Sequence, residues 1–322
     1  MDQPEERTLL IAKDDLQKFK RLDAFLACSL PDMSRTLIKK IFLEGHITSS
    51  QKLELKKMPP AGTKITIILP APAPTTIIPQ DIPLDILYED EYLLIINKPA
   101  GLVVHPAPGN FDGTLVNAIL FHCHDLKGIG NEMRPGIVHR LDKGTSGIMV
   151  VAKEQKTHEG LVRLFSTHDI ERKYQAICLG TKLPPKTTLE STIGRNPSNR
   201  LKMSSNVKHG KKAITHMQVL EVFSKFSHVE LQLETGRTHQ IRVHLCELLN
   251  SPILNDHTYG RTKEENYLLS NKIKTRLKDY SHPLLHAKLL GFIHPITQKK
   301  ILFEVEPPQI FQDTLELLRQ NQ

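Results

Sequence analysis

A chain of 322 residues exceeds one ordinary small domain, so two domains are expected. With 39% hydrophobic and 24% charged residues it belongs with globular chains and not with disordered ones. A formal charge of +8 and a pI of about 9.2 make polyanions the first partner class to consider.

The excess charge is concentrated. Between Glu171 and Ala213 ten Lys or Arg (Arg172, Lys173, Lys182, Lys186, Arg195, Arg200, Lys202, Lys208, Lys211, Lys212) face only Glu171 and Glu190, a net of +8. A solvated surface run is the plain alternative. Four cysteines without a CxxC pair argue against disulfides and a structural zinc site. The opening MDQPEERTLLIAKDD is acidic where a secretory signal is basic, and no apolar run approaches a membrane span. A soluble, cytoplasmic protein is therefore expected, with a monomer as the default.

In chain order, residues 1–17 read as an N-terminal arm or an edge strand. The spacing of Leu22, Phe25 and Leu26 predicts a helix from Phe19 to Ser29, ended by Pro31. Ser34 is a natural N-cap for a second helix, Arg35 to Leu43, stopped by Gly45. That helix groups Arg35, Lys39 and Lys40, while Leu37, Ile38, Ile41 and Phe42 can face a small core. Short strands near His46 to Thr48 and Lys64 to Leu69 complete a basic module over residues 18–69. Pro70-Ala-Pro-Ala-Pro74, with Pro79 and Pro83 beyond, reads as an extended linker over residues 70–84.

Residues 85–322 are rich in strands. Candidates are Leu93 to Ile96, Ile148 to Val151, Tyr174 to Leu179, Ile214 to Val222 and Val229 to Leu233. Helices are expected at Thr114 to His122, Thr157 to Ser166, Thr238 to Leu249 and Gln309 to Leu318. Short loops between neighbouring strands and the lack of a regular βαβ rhythm predict α+β, with a mixed, largely antiparallel sheet.

The densest polar segment is Arg134-Pro-Gly-Ile-Val-His-Arg-Leu-Asp-Lys-Gly-Thr-Ser-Gly147, which feeds the apolar strand from Ile148. It sets His139, Arg140 and Asp142 on a loop held by a buried element, where functional groups tend to lie. A surface turn capped by Asp142 is the plain alternative. Leu233-Glu-Thr-Gly-Arg-Thr-His-Gln-Ile-Arg-Val-His-Leu245 runs from a strand end into a helix, with Thr238 as the expected N-cap. Arg237, His239 and Arg242 cluster there and suit a phosphate or a carboxylate. Glu171-Arg-Lys-Tyr-Gln-Ala176 brings Tyr174 into a strand, where core packing is the commoner fate of a tyrosine. Phosphate-loop, dinucleotide, zincin and nucleophile-elbow motifs are missing. His122-Cys123-His124 carries metal-binding atoms, but adjacent residues point apart and no second ligand pair is evident. No metal and no cofactor are expected.

Laid out together, these segments resemble the RluA-type pseudouridine synthases, most of all the RluD-like large-subunit ribosomal RNA enzymes, from about Arg21 to Pro308. His139 to Gly147 is similar to the family's aspartate loop, Arg172 to Ala176 to its tyrosine motif, and Thr235 to His244 to its arginine motif. Asn97-Lys-Pro-Ala-Gly-Leu-Val-Val-His-Pro106, Leu285-His-Ala287 and His294-Pro295 are further marks. Arg21-Leu-Asp23 through Leu30-Pro31, Ser34-Arg35 and Glu44-Gly45 resemble an S4 RNA-binding module. Ser251 and Asn255 depart from the usual His and Gly, His282-Pro283 from Arg-Gln, and Ser49-Ser50-Gln51 lacks the frequent Asn-Gly turn.

The resemblance implies isomerisation of uridine to pseudouridine in structured RNA, with ribosomal RNA or the pre-ribosomal large subunit as partner. Asp142 is the implied essential carboxylate, adding to ribose C1′ or base C6 or stabilising a charged sugar. Arg242 would hold it ionised, and Tyr174 would stack on the uracil or accept the C2′ proton. Arg140 would fill the gap left by the flipped base, and His139 would position the loop. Arg237, His239, Arg172, Lys173, Arg195, Arg200, Lys202 and, in the S4-like helix, Arg35, Lys39 and Lys40 are the expected RNA contacts. The rivals are a non-catalytic RNA-binding or assembly factor, an N-glycoside hydrolase, and a synthase acting on transfer RNA.

Overall fold

The computed structural model describes residues 5–31, 33–69, 77–107, 109–123, 126, 129–131, 134–260, 265 and 267–320. The chain forms two compact units, residues 1–75 and 76–322.

In the first unit, strands β1 (Glu5–Leu10), β2 (Ile47–Ser49) and β3 (Lys64–Leu69) form an antiparallel sheet in the order β1-β3-β2. The expected arm is therefore an edge strand in register with β3, from Glu5 opposite Leu69 to Leu10 opposite Lys64. A helix that the sequence did not announce, α1 (Lys13–Lys18), follows it. The next, α2 (Leu22–Ser29), starts three residues later than expected because Phe19 and Arg21 are extended. Helix α3 (Arg35–Leu43) begins where Ser34 Oγ accepts from the Leu37 N–H. Ile38 and Ile41 join Leu22, Phe25, Leu26, Ile65 and Ile67 in the core, while Leu37 is largely solvated. Arg35, Lys39 and Lys40 are exposed. Arg35 is ion-paired to Asp23 at 2.8 Å and Lys40 to Glu44 at 3.8 Å.

Residues 70–76 of the expected linker lie outside the described residues. The rest of it belongs to the second unit: Ile77 is buried, Asn117 Nδ2 donates to the Ile78 carbonyl, and the Gln80 N–H donates to the Asn117 carbonyl.

The second unit is built on strands β4 (Ile86–Glu89), β5 (Leu93–Lys98), β8 (Ser146–Ala152), β9 (Glu171–Leu179), β10 (Lys186–Arg195), β11 (Met203–Ser205), β12 (Lys211–Val222), β13 (Phe226–Leu233), β14 (Leu285–Ile293) and β15 (Lys300–Glu304). Their order is β11-β10-β12-β13-β9-β14-β8-β5-β4, with β15 on the second half of β14. Every ladder is antiparallel except β8 on β14, so the α+β expectation holds. A separate two-residue pair joins β6 (Gly130–Asn131) to β7 (Arg134–Pro135).

Both faces of the sheet centre are covered, which explains the continuous apolar runs of β5 and β8. Leu94, Ile96, Met149 and Val151 face a core containing helix α4 (Leu115–His122); Leu93, Ile95, Ile148 and Val150 face one containing Leu161 of α5 (Gln155–Thr167). Helices α7 (Asn271–Leu277) and α8 (Gln309–Arg319) supply Ile273, Leu277, Phe311, Leu315 and Leu318 to a further cluster beside β9 and β13.

Of the strands missed by sequence reading, β10 and β11 are polar, whereas β14 is a largely buried apolar run whose Leu285-His-Ala287 start entered the sequence reading only as a motif. In β10 only Leu189, Ser191 and Ile193 are buried among exposed Lys, Thr, Glu and Arg. The expected helix over Thr238 to Leu249 is instead a short α-helix, α6 (Gln240–Val243), running into a π-helical turn, His244–Leu248.

Candidate active site

Asp142 sits on the loop between β7 and β8, and neighbouring groups fix its backbone. The Thr145 N–H donates to the Asp142 carbonyl at 3.0 Å and the Gly101 N–H to the Lys143 carbonyl at 2.7 Å. Beneath the loop the buried ammonium of Lys98 donates to the carbonyls of Pro99 and Leu102 at 2.8 and 3.0 Å, and to that of Lys143 at 3.4 Å. Burial pushes the Lys98 amine down to about 7, against the pull of Asp142. The Asn97-Lys-Pro segment thus clamps the aspartate loop from behind.

His139 anchors the near end of this loop. Its Nε2 accepts from the Val150 N–H at 3.0 Å, and its ring stacks on Phe165 at 4.6 Å. Burial pushes it down to about 3, so the imidazole is neutral, as an acceptor must be. Arg140, next in sequence, is exposed and lies 3.4 Å from Nε2 of the buried His105.

The opposing wall is the junction of β13 and α6. Gln240, not Thr238, organises this turn. Its Oε1 accepts from Thr235 Oγ1 and the Arg237 N–H, both at 2.9 Å, and its Nε2 donates to the Ile214 carbonyl and Thr215 Oγ1. The residue before it, His239, holds a left-handed backbone (φ 57°, ψ 18°), uncommon away from glycine. The expected Thr238 cap is thereby displaced.

Arg242 points from α6 toward Asp142. Its Nε and Nη2 form a bidentate pair with Asp256 at 2.7 and 2.8 Å, while Nη1 lies 3.4 Å from Asp142 Oδ2. The short pair falls in the range of charge-assisted bonds, about 2.7–2.9 Å, and the longer contact outside it. Asp256 therefore fixes the guanidinium, and Asp142 meets a cation that is already in place. Asp256 is itself only 1% exposed and accepts from the N–H groups of Thr258 and Tyr259. Arg242 beside it holds its carboxyl below the ordinary value despite burial.

Tyr259 completes the wall, its ring 5.0 Å under the Arg242 guanidinium. The Met203 N–H can only donate, so Tyr259 Oη accepts from it at 2.7 Å. Tyr259 Oη also lies 2.8 Å from His239 Nδ1 and 3.3 Å from the Met203 carbonyl, which accepts from it, while His239 Nε2 lies 3.9 Å from Asp142 Oδ2.

Between the two walls lies a cavity of about 570 Å³ lined by Arg140, Asp142, Tyr174, Arg237, His239 and Arg242, among others. Alternation along β9 sends Arg172 and Tyr174 to its interior and Lys173 to the other face of the sheet. Tyr174 is 7% exposed, and burial raises its hydroxyl.

The basic stretch thus divides. Arg172 is buried, donates to the Glu234 carbonyl and lies over Phe165, so it is part of the cavity wall and not of a surface run. Lys173 is paired with Glu230 at 3.5 Å and Glu171 at 3.9 Å, away from the cavity. Arg195 and Arg200 meet near the β10–β11 connection, where Arg195 donates to the Arg200 carbonyl. Lys202 lies over the Tyr259 ring at 5.6 Å. Arg237 lines the cavity with its Nε on the Lys212 carbonyl.

Sequence reasoning did not single out Lys98, Phe165, Gln240, Asp256 or Tyr259. The signal for Asp256 and Tyr259 was their place just after Ser251-Pro-Ile-Leu, but nothing local says that a carboxylate there meets Arg242. Of the departures noted in the sequence, Asn255 has a left-handed backbone (φ 64°) and donates to the Tyr280 and His282 carbonyls. An asparagine tolerates the conformation for which glycine is otherwise suited.

A mostly antiparallel sheet carrying an arginine-held aspartate in the wall of such a cavity has known counterparts. Residues 92–247 match the family model described as RNA pseudouridylate synthase. The chain is 41% identical to an uncharacterised RNA pseudouridine synthase of Bacillus subtilis, covering 97% of this chain and 98% of that one. It is 43% identical to the ribosomal large subunit pseudouridine synthase D of Zymomonas mobilis, covering 92% and 93%. The solved structure of human RNA pseudouridylate synthase domain containing 4 superposes with a TM-score of 0.57 at 30% identity, over 73% of this chain and 93% of that one. The chain belongs to the RNA pseudouridine synthases, enzymes that isomerise uridine in RNA, and within them to the RluA type. Relatives named ribosomal large subunit pseudouridine synthase D, from Zymomonas mobilis and Neisseria meningitidis, are 43% and 41% identical over 92% and 93% of this chain. Among the described residues no helix is long and apolar enough to cross a membrane.

Proposed function

We propose that this synthase modifies uridines of large-subunit ribosomal RNA, in the cytoplasm and as a monomer, with Asp142 as the carboxylate that engages the sugar or base. The observation that carries the reading is the Asp142–Arg242 contact of 3.4 Å in the cavity wall, with Arg242 fixed from behind by Asp256. The ribosomal target rests on relatives named as large-subunit enzymes.

In the reaction the N1–C1′ bond of uridine breaks, the base turns, C5 bonds to C1′, the C5 proton leaves and N1 takes up a proton. Reactant and product are isomers, so no external reactant is consumed. Arg242 Nη1 at 3.4 Å and His239 Nε2 at 3.9 Å face the Asp142 carboxylate and orient it toward the cavity. Tyr174 supports the uracil face. Its raised hydroxyl disfavours a resting phenolate, which speaks for stacking over abstraction of the C2′ proton.

A base stacked in a stem must be extruded, at a cost of roughly a few kcal/mol. Arg140, exposed beside the cavity, is suited to fill the vacancy. Arg237, Arg195, Arg200 and Lys202 supply phosphate contacts near the pocket. Arg35, Lys39 and Lys40 of the S4-like unit supply them elsewhere on the RNA, making affinity fall steeply with salt.

Asp142→Asn tests the reading. Pseudouridine formation should vanish while salt-sensitive RNA binding persists, and mapping pseudouridines in cellular RNA with and without the gene should name the sites lost. Near wild-type turnover by Asp142→Asn removes the assignment of Asp142. Loss of transfer RNA sites alone redirects the substrate.

A further inference from the structure

The tripeptide His122-Cys123-His124 finds no use in the chemistry above, and His124 lies outside the described residues. Its first two members are nevertheless brought to one point. Helix α4 ends at His122, and Cys123 is its C-cap with an extended backbone (φ −113°, ψ 98°). A third group meets them there. Glu89, the last residue of β4, offers a carboxylate, and the ligand atoms of Glu89, His122 and Cys123 all lie within 4.8 Å of one another.

The carboxylate is already oriented. Lys153 Nζ lies 2.8 Å from Glu89 Oε1 and also donates to the Asp90 carbonyl, which leaves Oε2 turned to His122 Nε2 at 2.8 Å. An ordinary His–Glu pair joins two of these groups, and the thiol of Cys123, half-buried against the core that holds α4, lies within reach of both.

We infer that Glu89, His122 and Cys123 form a zinc site that ties the end of α4 to the edge strand β4. One thiolate sulfur, one imidazole nitrogen and one carboxylate oxygen is a donor set suited to Zn²⁺, with a water at the fourth position. Zinc bonds of about 2.0–2.3 Å require the widest separation here to shrink by about 1 Å, within reach of side-chain torsions of the exposed His122. The thiol proton leaves on binding. With the thiolate and Glu89 balancing the metal, the cluster stays neutral apart from Lys153.

The site is separate from the Asp142 cavity, so it is tested without reference to turnover. Tag-free chain stripped with a chelator is titrated with Co²⁺, then with Zn²⁺ in competition. One equivalent of Co²⁺ should give tetrahedral visible bands and a thiolate-to-cobalt charge-transfer band, both abolished by Zn²⁺. The charge-transfer band should be lost in Cys123→Ser, and Glu89→Gln should weaken Zn²⁺ affinity about tenfold. Zn²⁺ at a hundredfold excess over Kd should raise Tm by about 5 °C in the wild type. A charge-transfer band that survives Cys123→Ser, no band in the wild type, or wild-type affinity in Glu89→Gln overturns the site.

Discussion

Asp256 has the clearest residue-scale consequence. It is buried, it makes both short bonds to Arg242, and through that arginine it acts on Asp142 without lining the cavity itself. Removing one partner of a buried ion pair leaves the other uncompensated, at a cost of about 3–5 kcal/mol. Asp256→Asn should therefore lower stability by that order. Misplacing a reacting group by about 1 Å can cost about 100-fold in rate, so kcat should fall by that order while KM for RNA stays unchanged. Asp256 is a positioning residue, and the split between kcat and KM distinguishes it from a general structural role. Unchanged kcat in a folded Asp256→Asn protein would mean that Arg242 holds its place by packing on Tyr259 alone.

At the scale of elements, the site depends on β8 and β14 lying side by side in a parallel ladder, the only one among the described residues. Gly147 opposes Ala287 in that register, with φ at 116°, and a Cβ built there falls 2.2 Å from the Ala287 carbonyl oxygen. No side chain fits. Gly147→Ala should cost at least about 3 kcal/mol from strain and overpacking together, read as a lower urea midpoint. It should also weaken activity, because Ser146 beside it bonds to His286 Nδ1 at 2.9 Å and Asp142 lies just upstream. If urea denaturation leaves this variant as stable as wild type, the two strands have more freedom than the packing implies. The glycine was visible in the sequence; its reason was not, since the partner backbone is 140 residues away.

For the molecule as a whole, buried histidines set the acid limit. Burial pushes His105, His228, His244 and His286 down to about 4 and His139 to about 3, from an ordinary 6.5. Between about pH 6.5 and about pH 4 the unfolded chain therefore binds protons that the folded one does not. Stability rises with pH across that window and is lost as pH falls through it. Each fully developed proton difference is worth about 1.36 kcal/mol per pH unit. Urea midpoints of the second unit should drop steeply over this range. His244→Gln, which keeps polar atoms near Ser191 and Thr215, should flatten the slope. A midpoint that stays level down to about pH 4 would contradict the neutral, buried assignment of these rings.

The amino-acid order by itself determined the local elements and the chemistry on offer. Ser34 caps a helix wherever the chain goes, apolar runs such as Leu93 to Ile96 must be covered on both faces, and the motifs around Asp142, Tyr174 and Arg242 follow the family's order. It also placed a basic run, but not which of its members are free: alternation along β9 turned Arg172 inward, and Lys173 is paired with Glu171 on its own strand and Glu230 on β13. Only the tertiary structure decided what holds Arg242, what clamps the aspartate loop, and why His239 stands in a left-handed turn. Those contacts join residues far apart in the chain, such as Lys98 with Lys143 and Asp142 with Arg242. Their energies depend on burial and distance, which exist only once the sheet has closed around them.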